Sequence, residues 1–151
     1  MNRVNVASFV SLTLTAVVMA GAVAHLLELP AKMKLNGPEY LTVQQIYRGW
    51  ALLGTVIYAA LAATLVLVIM VRTQRRVLRR VVLAILCMVA AQVVFWGYTY
   101  PVNQETSNWT LLPEHWQQLR VRWEFSHAVG AVLQFSALTA LVASLLVREA
   151  R

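Results

Sequence analysis

The chain has 151 residues, of which 60% are hydrophobic and only 13% are charged, and its mean hydropathy is +0.64. Soluble proteins are typically about half apolar and a quarter charged, so this composition argues against a soluble protein and favours lipid as the solvent. The net charge is +7, but the basic residues flank apolar runs rather than forming a hydrophilic domain, which argues against a nucleic-acid partner. The single cysteine, Cys87, excludes an internal disulfide and a paired-cysteine redox centre.

Four apolar stretches are each long enough to cross a bilayer, which takes about 20 residues. They cover residues 6–29, 47–71, 77–98 and 123–147, with longer connecting loops at 30–46 and 99–122. We expect the first span to stop at Pro30, the third to end before Pro101, and the fourth helix to begin near Pro113. Asn36-Gly37-Pro38 is predicted to be a turn. The sequence therefore predicts a single all-α domain, an integral membrane four-helix bundle.

The first stretch has a second interpretation. Arg3, an apolar run and Ala22-Val23-Ala24 together resemble a signal peptide with its cleavage site. The apolar run continues to Leu29, which favours a membrane span.

Basic residues near the ends of the spans predict the orientation. Eight lie on the side of the termini and the middle loop, and five on the other side. The cluster Arg72, Arg75, Arg76, Arg79 and Arg80 decides the balance. We therefore predict an N-in/C-in topology, in which the two longer loops face outward.

Polar side chains recur at helical spacing, which places them on one face that should point into the bundle. One such face carries Ser11, Thr15 and His25, a second carries Gln92, Trp96 and Thr99, and a third carries Arg120, Glu124, His127 and Gln134.

Two short motifs give the most specific signal. His25-x-x-Glu28 ends the first span and Glu124-x-x-His127 begins the fourth, both at the predicted outer end. Paired Glu-x-x-His motifs in helix bundles bind metals, and two imidazoles with carboxylates suit iron, zinc, copper or manganese. The sequence predicts a shared site in which His25, Glu28, Glu124 and His127 are candidate metal ligands. Ordinary ion pairs, Glu28 with Lys32 and Glu124 with Arg120, are the alternative.

The outer loop supplies further candidates for the same site. Asn103, Trp96, Trp109 and Trp123 are candidate substrate-binding residues beside the polar faces. An interfacial aromatic belt is the alternative explanation for most aromatic residues at this end.

The segment Thr106-Ser-Asn-Trp109-Thr110, followed by Pro113-x-x-Trp116-x-x-Leu119-Arg120-x-Arg122-Trp123-Glu124-x-x-His127, resembles the anthrone oxygenase-like family of small four-helix membrane proteins. His25-Leu-Leu-Glu28-Leu-Pro30-x-Lys32 and Gln44-Gln-Ile-Tyr47-Arg48-Gly49-Trp50 are similar to a bacterial branch. The resemblance implies a multi-pass protein of the bacterial inner membrane and, from the fungal members, oxygenation of an anthrone to an anthraquinone by molecular oxygen. It also carries over His127, Arg120, Asn108 and Trp109 as matches to the family motif.

Three functional hypotheses follow. The first is a membrane oxidoreductase or oxygenase for a lipophilic aromatic or quinone-like molecule. Its catalytic candidates are His127, Glu124, Arg120 and Asn108; His127 or His25 would be the general base or metal ligand and Arg120 a clamp for negative charge. The second is a haem electron carrier with His25 and His127 as axial ligands. The third is a non-enzymatic accessory subunit. Assembly into a homo-oligomer or a membrane complex is left open.

Overall fold

The computed structural model describes residues 2–149, and the side chains of residues 2–147. Arg151 and the side chain of Arg148, both counted in the orientation argument, lie outside that part. The described residues form helices joined by turns and loops, with no strands, which confirms the all-α prediction. The helices are α1 (Arg3–Lys32), α2 (Gly37–Gln44), α3 (Leu52–Met70), α4 (Arg75–Val94), α5 (Tyr100–Glu105) and α6 (Trp116–Glu149).

Four helical segments are long and apolar enough to cross a membrane: Arg3–Lys32, Leu52–Met70, Arg75–Glu105 and Trp116–Val147. Helix α6 packs against α1 and α4, and α3 packs against the same two helices, so the four segments form a bundle. Large apolar side chains point outward, including Leu27 and Leu52, which are 75% and 74% exposed. This surface suits lipid rather than water.

Two of the predicted helix ends are displaced because the chain tolerates proline better than expected. Helix α1 continues through Pro30 to Lys32, and the Met33 N–H still donates to the Leu29 carbonyl, 3.0 Å away. The third span continues through Pro101 because residues 95–99 form a wider π-helical turn. In a regular helix the Gly97 carbonyl would accept from residue 101, but proline has no N–H. The Arg122 guanidinium donates to that carbonyl instead, at 2.8 Å.

The other displaced ends lie beside loops. The second span begins at Leu52 rather than near residue 47, because Gln45–Tyr47 form a short 3-10 turn and Gly49 has a left-handed φ of 88°. Helix α6 begins at Trp116 rather than near Pro113.

The predicted turn at Asn36-Gly37-Pro38 is instead the start of helix α2. The Asn36 side chain accepts from the Glu39 N–H, and the Glu39 carboxylate accepts from the Asn36 N–H. This reciprocal capping box starts a helix at a sequence that is also typical of a turn. Helix α2 then packs against the end of the bundle through the buried Tyr40.

The core has two parts. An apolar cluster that includes Leu67, Val81, Met88 and Leu141 fills the end near the termini. Tyr40, Val102, Trp109, Leu119 and Trp123 form a second cluster, in which the two longer loops close over the opposite end of the bundle.

Candidate functional site

Helices α1 and α6 bring two histidines together. The rings of His25 and His127 stack with centroids 4.0 Å apart and planes inclined by 24°. Trp123, one turn before His127, packs against both rings, at 4.2 Å from His127 and 5.1 Å from His25. The Tyr47 ring lies 4.5 Å from His25 on another side. The prediction that the two histidine motifs meet therefore agrees with the structure as far as the imidazoles are concerned.

The histidine pair faces a cavity of about 710 Å³ inside the bundle, a volume typical of small-molecule sites. Seven of the candidate site residues line it: His25, Trp96, Asn103, Asn108, Trp109, Trp123 and His127. Further aromatic rings from Tyr47, Trp50 and Phe95 complete the walls. The cavity thus combines an aromatic lining with two imidazoles.

The two carboxylates of the predicted metal set point elsewhere. Glu124 Oε1 lies 2.7 Å from the Lys32 ammonium and accepts a hydrogen bond from the Tyr40 hydroxyl at 2.8 Å. Glu28 accepts a hydrogen bond from the Tyr47 hydroxyl. Neither glutamate lines the cavity. Among residues 2–147, no group of three or more His, Cys, Asp or Glu side chains is placed to hold a metal ion, so the expected ligand set is not assembled.

Lys32 explains where Glu124 points. Its side chain is 3% exposed, and a buried ammonium needs an anionic partner. It also donates to the Tyr47 hydroxyl at 3.0 Å and lies over the Trp123 ring, 4.6 Å from its centroid. Such contacts stabilise a desolvated cation. The alternative ion pair of Glu28 with Lys32 is also present, at 4.0 Å, but it is longer than the contact with Glu124. The other alternative is wrong: Arg120 forms no ion pair with Glu124 in the described part of the chain.

The two tyrosines of this network act as hydrogen-bond donors. Burial and the neighbouring Glu124 carboxylate raise the pKa of Tyr40 above its ordinary value. Burial and the Glu28 carboxylate raise the pKa of Tyr47 likewise. Both phenols are therefore protonated at neutral pH, because a phenolate beside a carboxylate would be unfavourable.

Arg120 does not lie where a substrate clamp requires. Its guanidinium donates to the Leu35 carbonyl at 2.7 Å and to the Lys32 carbonyl at 3.4 Å, and it stacks over Trp116. These contacts cap the C-terminal end of α1, where carbonyl groups lack helical partners. Arg48, which sequence reasoning did not single out as a site residue, is the cation that lines the cavity.

Asn108 and Trp109 reach the cavity through an unusual backbone. Ser107, Asn108 and Trp109 have φ values of 49°, 56° and 59°, each in the left-handed region. That conformation costs roughly 1–2 kcal/mol per residue. It is held by the Thr106 hydroxyl, which accepts from the Trp109 N–H, and by the Gln45 amide, which donates to the Trp109 carbonyl at 2.7 Å.

Two polar contacts fix helix α6 against the α4–α5 segment beside the cavity. The Trp123 indole donates to the Asn103 side chain at 2.8 Å, so Asn103 positions one wall of the site. The Thr99 and Ser126 hydroxyls are 2.7 Å apart.

Four polar atoms at the cavity have no hydrogen-bond partner: His25 Nδ1, Gln44 Oε1, Trp109 Nε1 and Gln134 Oε1. All four side chains are buried. Buried polar atoms are almost always hydrogen-bonded, to water where not to protein. Several exceptions around one cavity indicate a place where a bound molecule or water supplies the partner.

The haem hypothesis requires the imidazoles on opposite faces of a macrocycle. Direct stacking of His25 on His127 at 4.0 Å is a different arrangement and leaves no space between the rings for a porphyrin.

The segment around α2 is the part of the site that sequence reasoning missed. Tyr40, Gln44 and Tyr47 are spaced by four and three residues, so they form a polar face of helical period. That spacing was the available signal, but a short helix inside a loop lacks the long apolar pattern by which spans are recognised.

Comparison of the chain with protein-family models, with curated proteins and with solved structures found no match to any of them. The resemblance to the anthrone oxygenase-like family therefore stays a prediction.

Proposed function

We propose that this protein is a membrane enzyme that binds a lipophilic aromatic molecule within its helix bundle and oxygenates it with molecular oxygen. The observation that carries this proposal is the stacked pair His25 and His127, which faces an aromatic cavity of about 710 Å³. Such walls favour a flat, apolar ligand. The anthrone-like substrate class comes from the family resemblance.

His127 is the general base. It lines the cavity, and no hydrogen bond occupies its ring nitrogens in the described structure. It removes a proton from an activated CH₂ group that is conjugated with a carbonyl through the two flanking aromatic rings, as in an anthrone. The delocalised anion is electron-rich and reacts with oxygen: one oxygen atom becomes the new carbonyl, and the other leaves as water with the two hydrogens of the CH₂ group. No further reductant is needed.

The anion has two candidate partners at the cavity. Arg48 supplies a positive charge, and the Trp109 indole N–H is a donor without a partner. Donors that face a developing negative charge in a largely apolar site stabilise it strongly. Arg48 thus takes the role that sequence reasoning gave to Arg120.

The arginines in the turn after α3 and at the start of α4 support the N-in/C-in topology, because basic residues concentrate on the cytoplasmic side. The site then lies at the outward-facing end of the bundle, in a bacterial inner membrane. Accessibility of reporter tags at the C-terminus and in the 106–115 loop tests this arrangement.

Oxygen consumption with anthrone as substrate tests the activity. Purified protein in lipid nanodiscs is expected to consume oxygen faster than empty nanodiscs, with anthraquinone as product. Replacement His127→Ala is expected to lower the rate by about 10²-fold or more, the usual contribution of a general base. His115→Ala is the matched control, because His115 is exposed, pairs with Glu105 and does not line the cavity.

An equal loss of activity in both histidine variants would contradict the role of His127. No oxygen consumption above the lipid background with anthrones or quinols would contradict the enzymatic proposal. Tight aromatic binding without turnover would instead indicate a binding or accessory protein.

A further inference from the structure

The far end of the cavity has its own polar residues. Gln134 of α6 is 4% exposed, lines the cavity, and its Oε1 has no hydrogen-bond partner. Gln92 of α4 lines the same cavity, and its side chain forms no hydrogen bond within the described structure. Both lie well inside membrane-spanning segments. An amide there is costly unless something satisfies it, so polar groups at this depth generally have a function.

The two glutamines lie at a similar depth in the bundle. Helices α4 and α6 pack against each other with opposite direction, and the Thr99–Ser126 hydroxyl contact fixes their register. Gln92 is seven residues before Thr99, and Gln134 is eight residues after Ser126. At 1.5 Å per residue, both positions are about 10–12 Å further into the bundle than that contact.

Helix α6 connects the histidine pair to Gln134 along one face. His127, Gly130 and Gln134 are separated by three and four residues, a spacing that keeps them on the same side of the helix. A Cβ atom added at Gly130 would meet nothing within 4 Å, so the cavity is open at this point. Two helical turns, or about 10.5 Å, separate the levels of His127 and Gln134.

We propose that Gln92 and Gln134 form a second polar subsite, which hydrogen-bonds the far oxygen of an elongated aromatic ligand whose near oxygen lies at the histidine pair. The inference rests on the proposed function and makes it more specific: the ligand is a flat, fused-ring molecule with oxygen substituents at both ends. A molecule with one oxygen occupies the same cavity but leaves the glutamines unsatisfied.

Two related ligands test the subsite: 2-hydroxyanthraquinone and 2,6-dihydroxyanthraquinone, which differ only in the distal hydroxyl. Quenching of tryptophan fluorescence reports binding, because several tryptophans line the cavity. The wild-type protein in nanodiscs is expected to bind the dihydroxy compound about 3- to 30-fold more tightly, the effect of one or two buried hydrogen bonds.

Replacement Gln134→Leu is expected to abolish that preference while changing the affinity for the monohydroxy compound by less than about twofold. Gln92→Leu is expected to reduce the preference. Gln118→Leu is the matched control, because Gln118 is exposed and lies outside the cavity. Gly130→Leu is a second, independent test: its side chain occupies the open space between the two ends and should weaken binding of both compounds.

The outcomes separate the subsite from the function. Equal binding of both compounds to the wild type, or a preference that survives Gln134→Leu, overturns the subsite and leaves the proposed function standing. Failure of the wild type to bind either compound overturns the aromatic-binding function, and the subsite with it.

Discussion

The ammonium of Lys32 lies 2.7 Å from Glu124 Oε1, and both side chains are buried. This ion pair joins the end of α1 to the beginning of α6, beneath the short helix that supplies Tyr40. Because of this pair, Glu124 points away from the cavity that His127 lines, although the two residues are one helical turn apart in the sequence. The carboxylate therefore serves the architecture around the cavity, while the imidazoles face the cavity itself.

Breaking this pair on one side should be strongly destabilising. Lys32→Met leaves Glu124 buried without its cation, and we expect a loss of about 3–5 kcal/mol in the free energy of unfolding. The double variant Lys32→Met/Glu124→Gln should lose less than the sum of the single variants, because neither charge remains. Unfolding in mixed detergent micelles measures all three. Lys34→Met is the control, since Lys34 is exposed; strict additivity would contradict the coupling.

The buried tyrosines should make the protein sensitive to alkali. Folding raises the pKa of Tyr40 and Tyr47, so each contributes stability that is fully present below the ordinary tyrosine value of 10.0. Above it the unfolded chain loses protons that the folded chain retains. Each tyrosine should then lower the free energy of unfolding by about 1.4 kcal/mol per pH unit.

Unfolding measurements between pH 9 and 12 test this, with Tyr40→Phe and Tyr47→Phe expected to show a shallower slope than the wild type. Identical slopes in the wild type and in both variants would contradict the assignment.

Gly37 packs closely against Leu112 of the second outer loop and Trp116 at the start of α6. A Cβ atom at this position would lie 2.6 Å from Leu112 Cδ2 and 3.3 Å from the Trp116 ring. Gly37→Ala should therefore destabilise the protein by about 1–3 kcal/mol. Gly54→Ala, where a Cβ meets nothing within 4 Å, should be neutral or stabilising, as alanine favours helix. Thermal unfolding of the two variants compares them; equal melting temperatures would refute the packing argument.

The hydrogen bond from Arg122 to the Gly97 carbonyl compensates for the N–H group that Pro101 lacks, and this compensation can be tested. Arg122 donates to the Gly97 carbonyl, which Pro101 cannot reach with an N–H. Arg122→Leu should cost about 1 kcal/mol, the typical net contribution of one intramolecular hydrogen bond. In a Pro101→Ala background the backbone N–H is restored, so the same replacement should cost little. A double-mutant cycle by thermal unfolding measures the difference, and equal costs in both backgrounds would count against this account.

The sequence by itself determined the helical membrane fold, because long apolar runs and helical spacing of polar residues are local properties. It also predicted that His25 and His127 meet, because the order of the spans places both histidines at the same end of the bundle. Seven of the candidate residues line the cavity. Four of them, His25, Trp96, Trp123 and His127, lie on the predicted spans, and the conformation of the second outer loop places the other three.

The tertiary structure alone decided how the charges pair. Lys32 has an acidic neighbour one helical turn away at Glu28, but the packing of α1 against α6 places it closer to Glu124 and over the Trp123 ring. The 3-10 turn at Gln45–Tyr47 adds the Tyr47 hydroxyl. The tertiary structure also shows that Arg120 contacts the end of α1, where carbonyl groups without helical partners attract a cation, and not the cavity. Helix contacts are long-range in sequence, and a buried charge takes the partner that the packed fold places beside it, which no local pattern can specify.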